Sequence, residues 1–179
     1  ANAYGHGDVE AARALAAAGV TNFAVATADE ALRLREYGIS GQIFILGFSP
    51  ISCAETLAAH DVTQAVVSRE HAEALAAANA KLKVCFALDT GMNRVGLDAD
   101  FPDECEKIIR EYSSRLNVVG LFTHLCVADT DDPEAVSFTK GQIAKFEEAA
   151  RRVADLKLPQ VHCLNSAGGL RHRCSASVY

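Results

Sequence analysis

Phe86-Ala87-Leu88-Asp89-Thr90-Gly91-Met92-Asn93-Arg94-Val95-Gly96 reads as a short apolar strand that breaks into a polar, glycine-bearing loop. Runs this short and apolar are expected of strands buried on both faces. Gly91 permits a tight turn, and Arg94 offers a planar, permanently charged fork to an anion. On pattern alone the segment reads more readily as an ordinary strand-to-helix turn with a solvent-facing arginine, since βα connections commonly look like this.

Similar apolar runs recur on either side, at residues 22–26, 42–47, 64–68, 118–124 and 160–165. Between them lie Ala-, Leu- and Glu-rich helical stretches at 9–18, 28–37, 52–59, 70–81, 103–116 and about 134–156. Gly19 and Gly38 read as helix C-caps and Asp8 as an N-cap. The alternation predicts an α/β fold, a parallel sheet covered by helices. Two architectures satisfy it: an open doubly wound sheet and a (β/α)8 TIM-type barrel. No GxGxxG follows a strand, which weakens the dinucleotide-binding form of the open sheet. The prominent polar residues, Asp89-Thr90, His124 and Asn165-Ser166, all follow strand ends, where both architectures place their sites. A barrel needs eight strands and about six are visible. On that reading one strand precedes Ala1 and another follows Tyr179.

Bulk properties narrow the function. The 179 residues suffice for one domain with a substantial core. The net charge of −6, with no basic cluster beyond Arg171-His172-Arg173, argues against a nucleic-acid partner. No apolar run is long enough for a membrane span, and no signal peptide is visible. None of the six cysteines forms a CxxC pair or sits at zinc-ligand spacing with a histidine, so no metal site is expected. They read as reduced, buried thiols of a cytoplasmic protein.

Four segments bear chemistry. Ala1-Asn2-Ala3-Tyr4-Gly5-His6-Gly7-Asp8 is a glycine-bearing turn feeding a helix; Tyr4 and the first-turn N–H groups could hold a phosphate. The Arg94 loop is the second. The third, Gly120-Leu121-Phe122-Thr123-His124-Leu125-Cys126-Val127-Ala128-Asp129, puts a histidine just after a strand, a position more often structural than catalytic. In the fourth, Val161-His162-Cys163-Leu164-Asn165-Ser166-Ala167-Gly168-Gly169, Asn165 and Ser166 open a helix whose first turn suits a phosphate. Simple N-capping by Ser166 is the plainer reading. His6, His60, His71 and His172 read as surface or helix-end histidines.

Taken together and in order, these segments resemble the N-terminal barrel domain of alanine racemases, which use pyridoxal 5′-phosphate (PLP). The opening run resembles the signature that directly follows the PLP-bearing lysine. Asp-Thr-Gly-Met-Asn-Arg-Val-Gly resembles the second signature, where the arginine bonds the phenolic oxygen of PLP and faces the substrate carboxylate. Phe23-Ala24-Val25-Ala26-Thr27 with Glu30-Ala31-Leu32 resembles the second βα unit, and Ile45-Leu46-Gly47 the third.

The resemblance implies a partial PLP-binding barrel over residues 1–179, without the family's C-terminal β-domain. It implies PLP binding by Tyr4, Leu46, Arg94, His124, His162, Asn165 and Ser166, and substrate binding by Arg94 and Met92. His124 would support a network reaching the catalytic tyrosine. His162 would support an arginine on the next strand. Both bases of the two-base proton transfer lie outside the chain: the lysine before Ala1, and a tyrosine beyond Tyr179, from the partner subunit of a homodimer. The chain alone is expected to be inactive. Many members carry a carbamylated lysine where this chain has Ala87. A buried Arg94 without a partner would be costly, so a chloride or a rearranged hydrogen bond is expected near Arg94 and Ala87. The implied activity is interconversion of L- and D-alanine for the cell wall. Racemisation of serine or another small amino acid, a non-catalytic PLP-homeostasis protein, and an unrelated α/β barrel are the alternatives.

Overall fold

The computed structural model describes residues 2–176. Its strands are β1 (Asn22–Val25), β2 (Gln42–Ile45), β3 (Val62–Val66), β4 (Lys83–Asp89), β5 (Leu97–Asp98), β6 (Asn117–Phe122) and β7 (Gln160–His162). Helices α1 (Asp8–Ala17), α2 (Ala28–Glu36), α3 (Ala54–Ala59), α4 (Arg69–Ala78), α5 (Pro102–Ser113), α6 (Pro133–Arg152) and α7 (Ser166–Arg171) alternate with them.

All pairings are parallel, in the order β1-β2-β3-β4-β6-β7, with the two-residue β5 pairing beside the end of β4. This order decides between the two architectures. A doubly wound sheet reverses its strand order at a switch point, and none occurs among the described residues. The two faces agree. One carries the main core, where Ile43, Val62, Phe86 and Leu121 meet helix residues such as Leu34, Leu75, Ile109 and Phe146. The other holds a small cluster of strand residues, Phe44, Ala65, Cys85, Ala87 and Phe122, with Val67 and Val119. Helices outside and side chains alone inside are the section of an incomplete (β/α) barrel. Phe44 and Phe122 meet edge to face inside it, ring centres 5.0 Å apart.

Four of the βα turns on the site face end in a capping side chain. Thr27 accepts from Glu30 N, Ser68 from His71 N, Asp132 from Glu134 N and Ala135 N, and Asn165 from Gly168 N. These caps fix where α2, α4, α6 and α7 begin.

Several boundaries shift. β3 begins two residues before its expected start because Thr63 and Gln64 are buried in it. The Gln64 amide compensates by donating to Gly47 O (2.6 Å) and Ala65 O (2.9 Å). α4 stops at Ala78, with Asn79 in the left-handed conformation (φ 49°), short of the expected Lys81. Asp8 is not the cap of α1. It is the first helical residue, and its N–H donates to Asn2 Oδ1 at 3.0 Å. Asn165, not Ser166, caps α7. His71 lies at a helix end, in the first turn of α4, but is buried. The cysteines are all thiols, but Cys126 is exposed.

Candidate active site at the carboxyl ends of the strands

The Arg94 loop is built by its own first residue. Asp89 Oδ1 accepts from Gly91 N (2.9 Å) and Asn93 N (3.0 Å), winding residues 89–93 into a turn. The chain then folds back along β4, where Gly96 N donates to Val67 O at 3.0 Å. Gly96 adopts φ +125°, and a Cβ there would lie 2.7 Å from Asp89 N and 2.9 Å from Ala87 O. Only glycine meets both demands. Leu97 and Asp98 then pair with Leu88 and Asp89. The sequence marks Asp89 only as a polar residue at a strand end and not as the builder of this turn; its place two residues before Gly91 is the available signal.

The loop presents Arg94 to a cleft of about 580 Å³ whose walls include Tyr4, Asp8, Glu30, Leu46, Arg94 and His124. Four of the expected site residues therefore meet in one place. Arg94 is exposed, and no hydrogen bond or ion pair to it occurs among the described residues. This corrects the expectation of a buried arginine: the cost that called for a chloride does not arise. Ala87 is buried on the inner face and, with Met92, Arg94 and His124, lines a small adjoining pocket.

His124 is half-buried just beyond β6. Burial, and then the positive charge of Arg94, hold its imidazole below the usual histidine range, so it is neutral near pH 7. It presents a neutral ring beside a fixed cation.

Tyr4 stands at the rim in a left-handed turn, with φ of 49° at Ala3 and 56° at Tyr4, and its side chain is 99% exposed. Glu30 anchors this turn, accepting from Asn2 N (2.8 Å) and Ala26 N (2.9 Å). Leu46 is exposed where β2 ends.

His162, Asn165 and Ser166 are not in this cleft. They sit at the neighbouring end of β7, joined to β6 by Thr123 N donating to His162 O at 3.0 Å. Burial keeps His162 below the usual histidine range. Both ends of the Asn165 amide are engaged, with Leu125 O (2.9 Å) and Gly168 N (2.9 Å). Ser166 is exposed at the start of α7.

The donor set fits an aromatic phosphate. In the cleft an unpaired guanidinium, a neutral imidazole and an exposed apolar side chain match a phenolate and a ring, and the serine hydroxyl at the start of α7, on the neighbouring strand end, matches a phosphate.

Fold and site together define an incomplete (β/α) barrel whose candidate site lies at the carboxyl face of its strands. Within that class, the family model for "Alanine racemase, N-terminal domain" matches residues 1–178, and the chain belongs to that family. Alanine racemase of Ligilactobacillus salivarius (strain UCC118) is 39% identical over 177 residues, covering 96% of this chain and 47% of that protein. The crystal structure of alanine racemase from Bacillus anthracis with bound L-Ala-P superposes with a TM-score of 0.85 at 31% identity, covering 98% of this chain and 46% of that one. Histidine racemase from Leuconostoc mesenteroides superposes with a TM-score of 0.79 at 31% identity over 94% of this chain and 45% of that one. The chain spans about half the length of these relatives.

Proposed function

We propose that this chain is the cofactor-binding barrel portion of a PLP-dependent alanine racemase, interconverting L- and D-alanine and supplying D-alanine for peptidoglycan. The observation that carries the reading is the convergence of Tyr4, Leu46, Arg94 and His124 on one cleft, with Arg94 unpaired. When bound, PLP withdraws electrons from the substrate Cα so that its proton can leave.

In this reading the chain's own residues bind and orient. Arg94 donates to the phenolic oxygen of the cofactor and, with Met92, borders the substrate carboxylate. Leu46 packs on the ring. Tyr4, Ser166 and the first turn of α7 take the phosphate, Asn165 shapes that turn, and His162 stands behind it. Neutral His124 supports the neighbouring network without moving the substrate proton. The proton-transferring lysine and tyrosine lie outside residues 1–179, the tyrosine on the partner subunit of a cytoplasmic homodimer.

A second substrate has specific support. The likeness to a histidine racemase at nearly the same TM-score favours the same barrel working on other amino acids. The test is to express the whole reading frame that contains this chain and follow racemisation of L-alanine, L-serine and L-histidine by chiral chromatography. Intact mass before and after borohydride reduction reads covalent cofactor. Alanine turnover with retained PLP supports the proposal. Retained PLP without racemisation of any amino acid would point to a carrier, and absence of PLP would sink the reading. Racemisation by the 179-residue chain alone would overturn the placement of both bases.

A further inference from the structure

Helix α6 carries a glutamine where its pattern calls for an apolar residue. Gln142 is 1% exposed, packed toward the ends of β4 and β6, and lines neither pocket beside Arg94. Burying a primary amide is costly unless its donors and acceptors are met. Here all four are met. Oε1 accepts from Cys126 N (3.2 Å) and Cys126 Sγ (3.5 Å). Nε2 donates to His124 O (3.4 Å) and Thr90 Oγ1 (3.2 Å).

The direction of the remaining bonds follows. A carbonyl can only accept, so Thr123 spends its single hydroxyl proton on Leu88 O at 2.8 Å. Thr90 must then be the donor in its 2.8 Å bond to Thr123. The result is a one-way chain from Gln142 through Thr90 and Thr123 to Leu88 O. Nothing in it can reverse without leaving a buried group unpaired.

These partners are not scattered. Leu88 and Thr90 stand at the root of the Arg94 loop, while Thr123, His124 and Cys126 are the exit of β6. We propose that Gln142 is a positioning residue for the site: from outside the cleft it sets where the His124 segment stands relative to the Arg94 loop. The role in catalysis rests on the racemase reading above; the positioning itself does not.

The test uses the full-length protein. Gln142→Met keeps length and approximate volume but removes every bond of the amide. Thr139→Val, one turn earlier on α6, is the control, because Thr139 Oγ1 is buried without a hydrogen-bond partner among the described residues and loses nothing. Amide hydrogen exchange is followed alongside racemisation kinetics. Gln142→Met is expected to lose exchange protection at residues 123–128 while β1 and β2 keep theirs. Its kcat/KM should fall on the order of 10- to 100-fold, as for a small misplacement of a site group. Thr139→Val should keep both at parental values. If Gln142→Met does not fold, Gln142→Glu, which keeps the acceptor toward Cys126 N, should retain that amide's protection and still lose kcat/KM.

Exchange that rises evenly over the whole barrel, or kcat/KM and local exchange both within about twofold of the parent, would overturn the proposal. If the parent racemises nothing, the racemase reading fails, and the exchange pattern alone decides whether Gln142 positions the His124 segment.

Discussion

The hydroxyls of Thr90 and Thr123 lie 2.8 Å apart, both buried, and join the ends of β4 and β6 just before the chain departs to Arg94 and His124. Thr123 holds two partners, accepting from Thr90 and donating to Leu88 O. Thr123→Val keeps the shape but strands the Thr90 hydroxyl proton and a carbonyl. The expected loss is about 1–3 kcal/mol, whereas Thr123→Ser, which keeps the hydroxyl, should lose far less. Urea denaturation midpoints measure both. A valine variant as stable as the serine variant would show that these bonds contribute nothing net.

Gly96 is the hinge on which the Arg94 loop turns back against β4. Its φ of +125° and the backbone atoms at 2.7 and 2.9 Å from a would-be Cβ leave no room for a side chain. The nearby atoms are main chain, so they cannot rotate away. Gly96→Ala should cost about 1–3 kcal/mol for the strained conformation alone. It should also weaken cofactor binding by displacing Arg94. Gly141, with open space around its Cβ position in the middle of α6, provides the contrast: Gly141→Ala should raise stability by roughly 0.5–1 kcal/mol. Thermal melts of the two variants should therefore move in opposite directions. A Gly96→Ala melt equal to the parent's would refute the close packing.

Arg94 separates function from stability. It is exposed and holds no partner among the described residues, so Arg94→Ala should leave the unfolding free energy within about 0.5 kcal/mol. Loss of a charge-assisted bond to the cofactor should nevertheless lower PLP affinity about tenfold or more. Arg94→Lys keeps the charge but not the planar fork and should fall between. Equilibrium titration of the apoprotein with PLP is the measurement. Unchanged affinity in Arg94→Ala would remove Arg94 from the site.

Much of this was legible in the residues. Six apolar runs gave six strands; His124 is marked by its place just after one of them, and Arg94 by the glycine-bearing loop that follows another. Three things were not legible, each for a physical reason. The choice between barrel and open sheet depends on strand order, which local pattern does not carry. The apolar run that marks β3 starts at residue 64, whereas the strand starts at Val62, because Thr63, polar in pattern, is buried within it. β5 is two residues long and exists because Gly96 lays them against β4, so no periodicity can announce it. Gln142 was invisible for the same kind of reason. Its bonds reach residues 16 to 52 positions away.

His71 makes the fold acid-sensitive. Its ring is buried at the start of α4, tilted against Phe48 with centres 4.9 Å apart. The Val67 N–H points at Nδ1 (3.4 Å), so Nδ1 must be the acceptor and the neutral ring carries its proton on Nε2. Adding a proton would set a second N–H against the Val67 donor and bury a charge. Burial accordingly lowers the folded pKa below the ordinary value of 6.5. Between the two values the unfolded chain binds a proton that the folded chain does not, so unfolding takes up protons and stability rises with pH. The stability present above 6.5 is therefore lost as the pH falls toward the folded value, and the loss levels off below it. His124 and His162, lowered in the same direction, add to the slope. Urea midpoints taken from about pH 8 down to about pH 5 should fall. His71→Asn, which keeps an acceptor for Val67 N but does not titrate, should flatten the curve. Parallel curves for parent and variant would show that His71 takes up its proton as readily in the folded protein as in the unfolded chain.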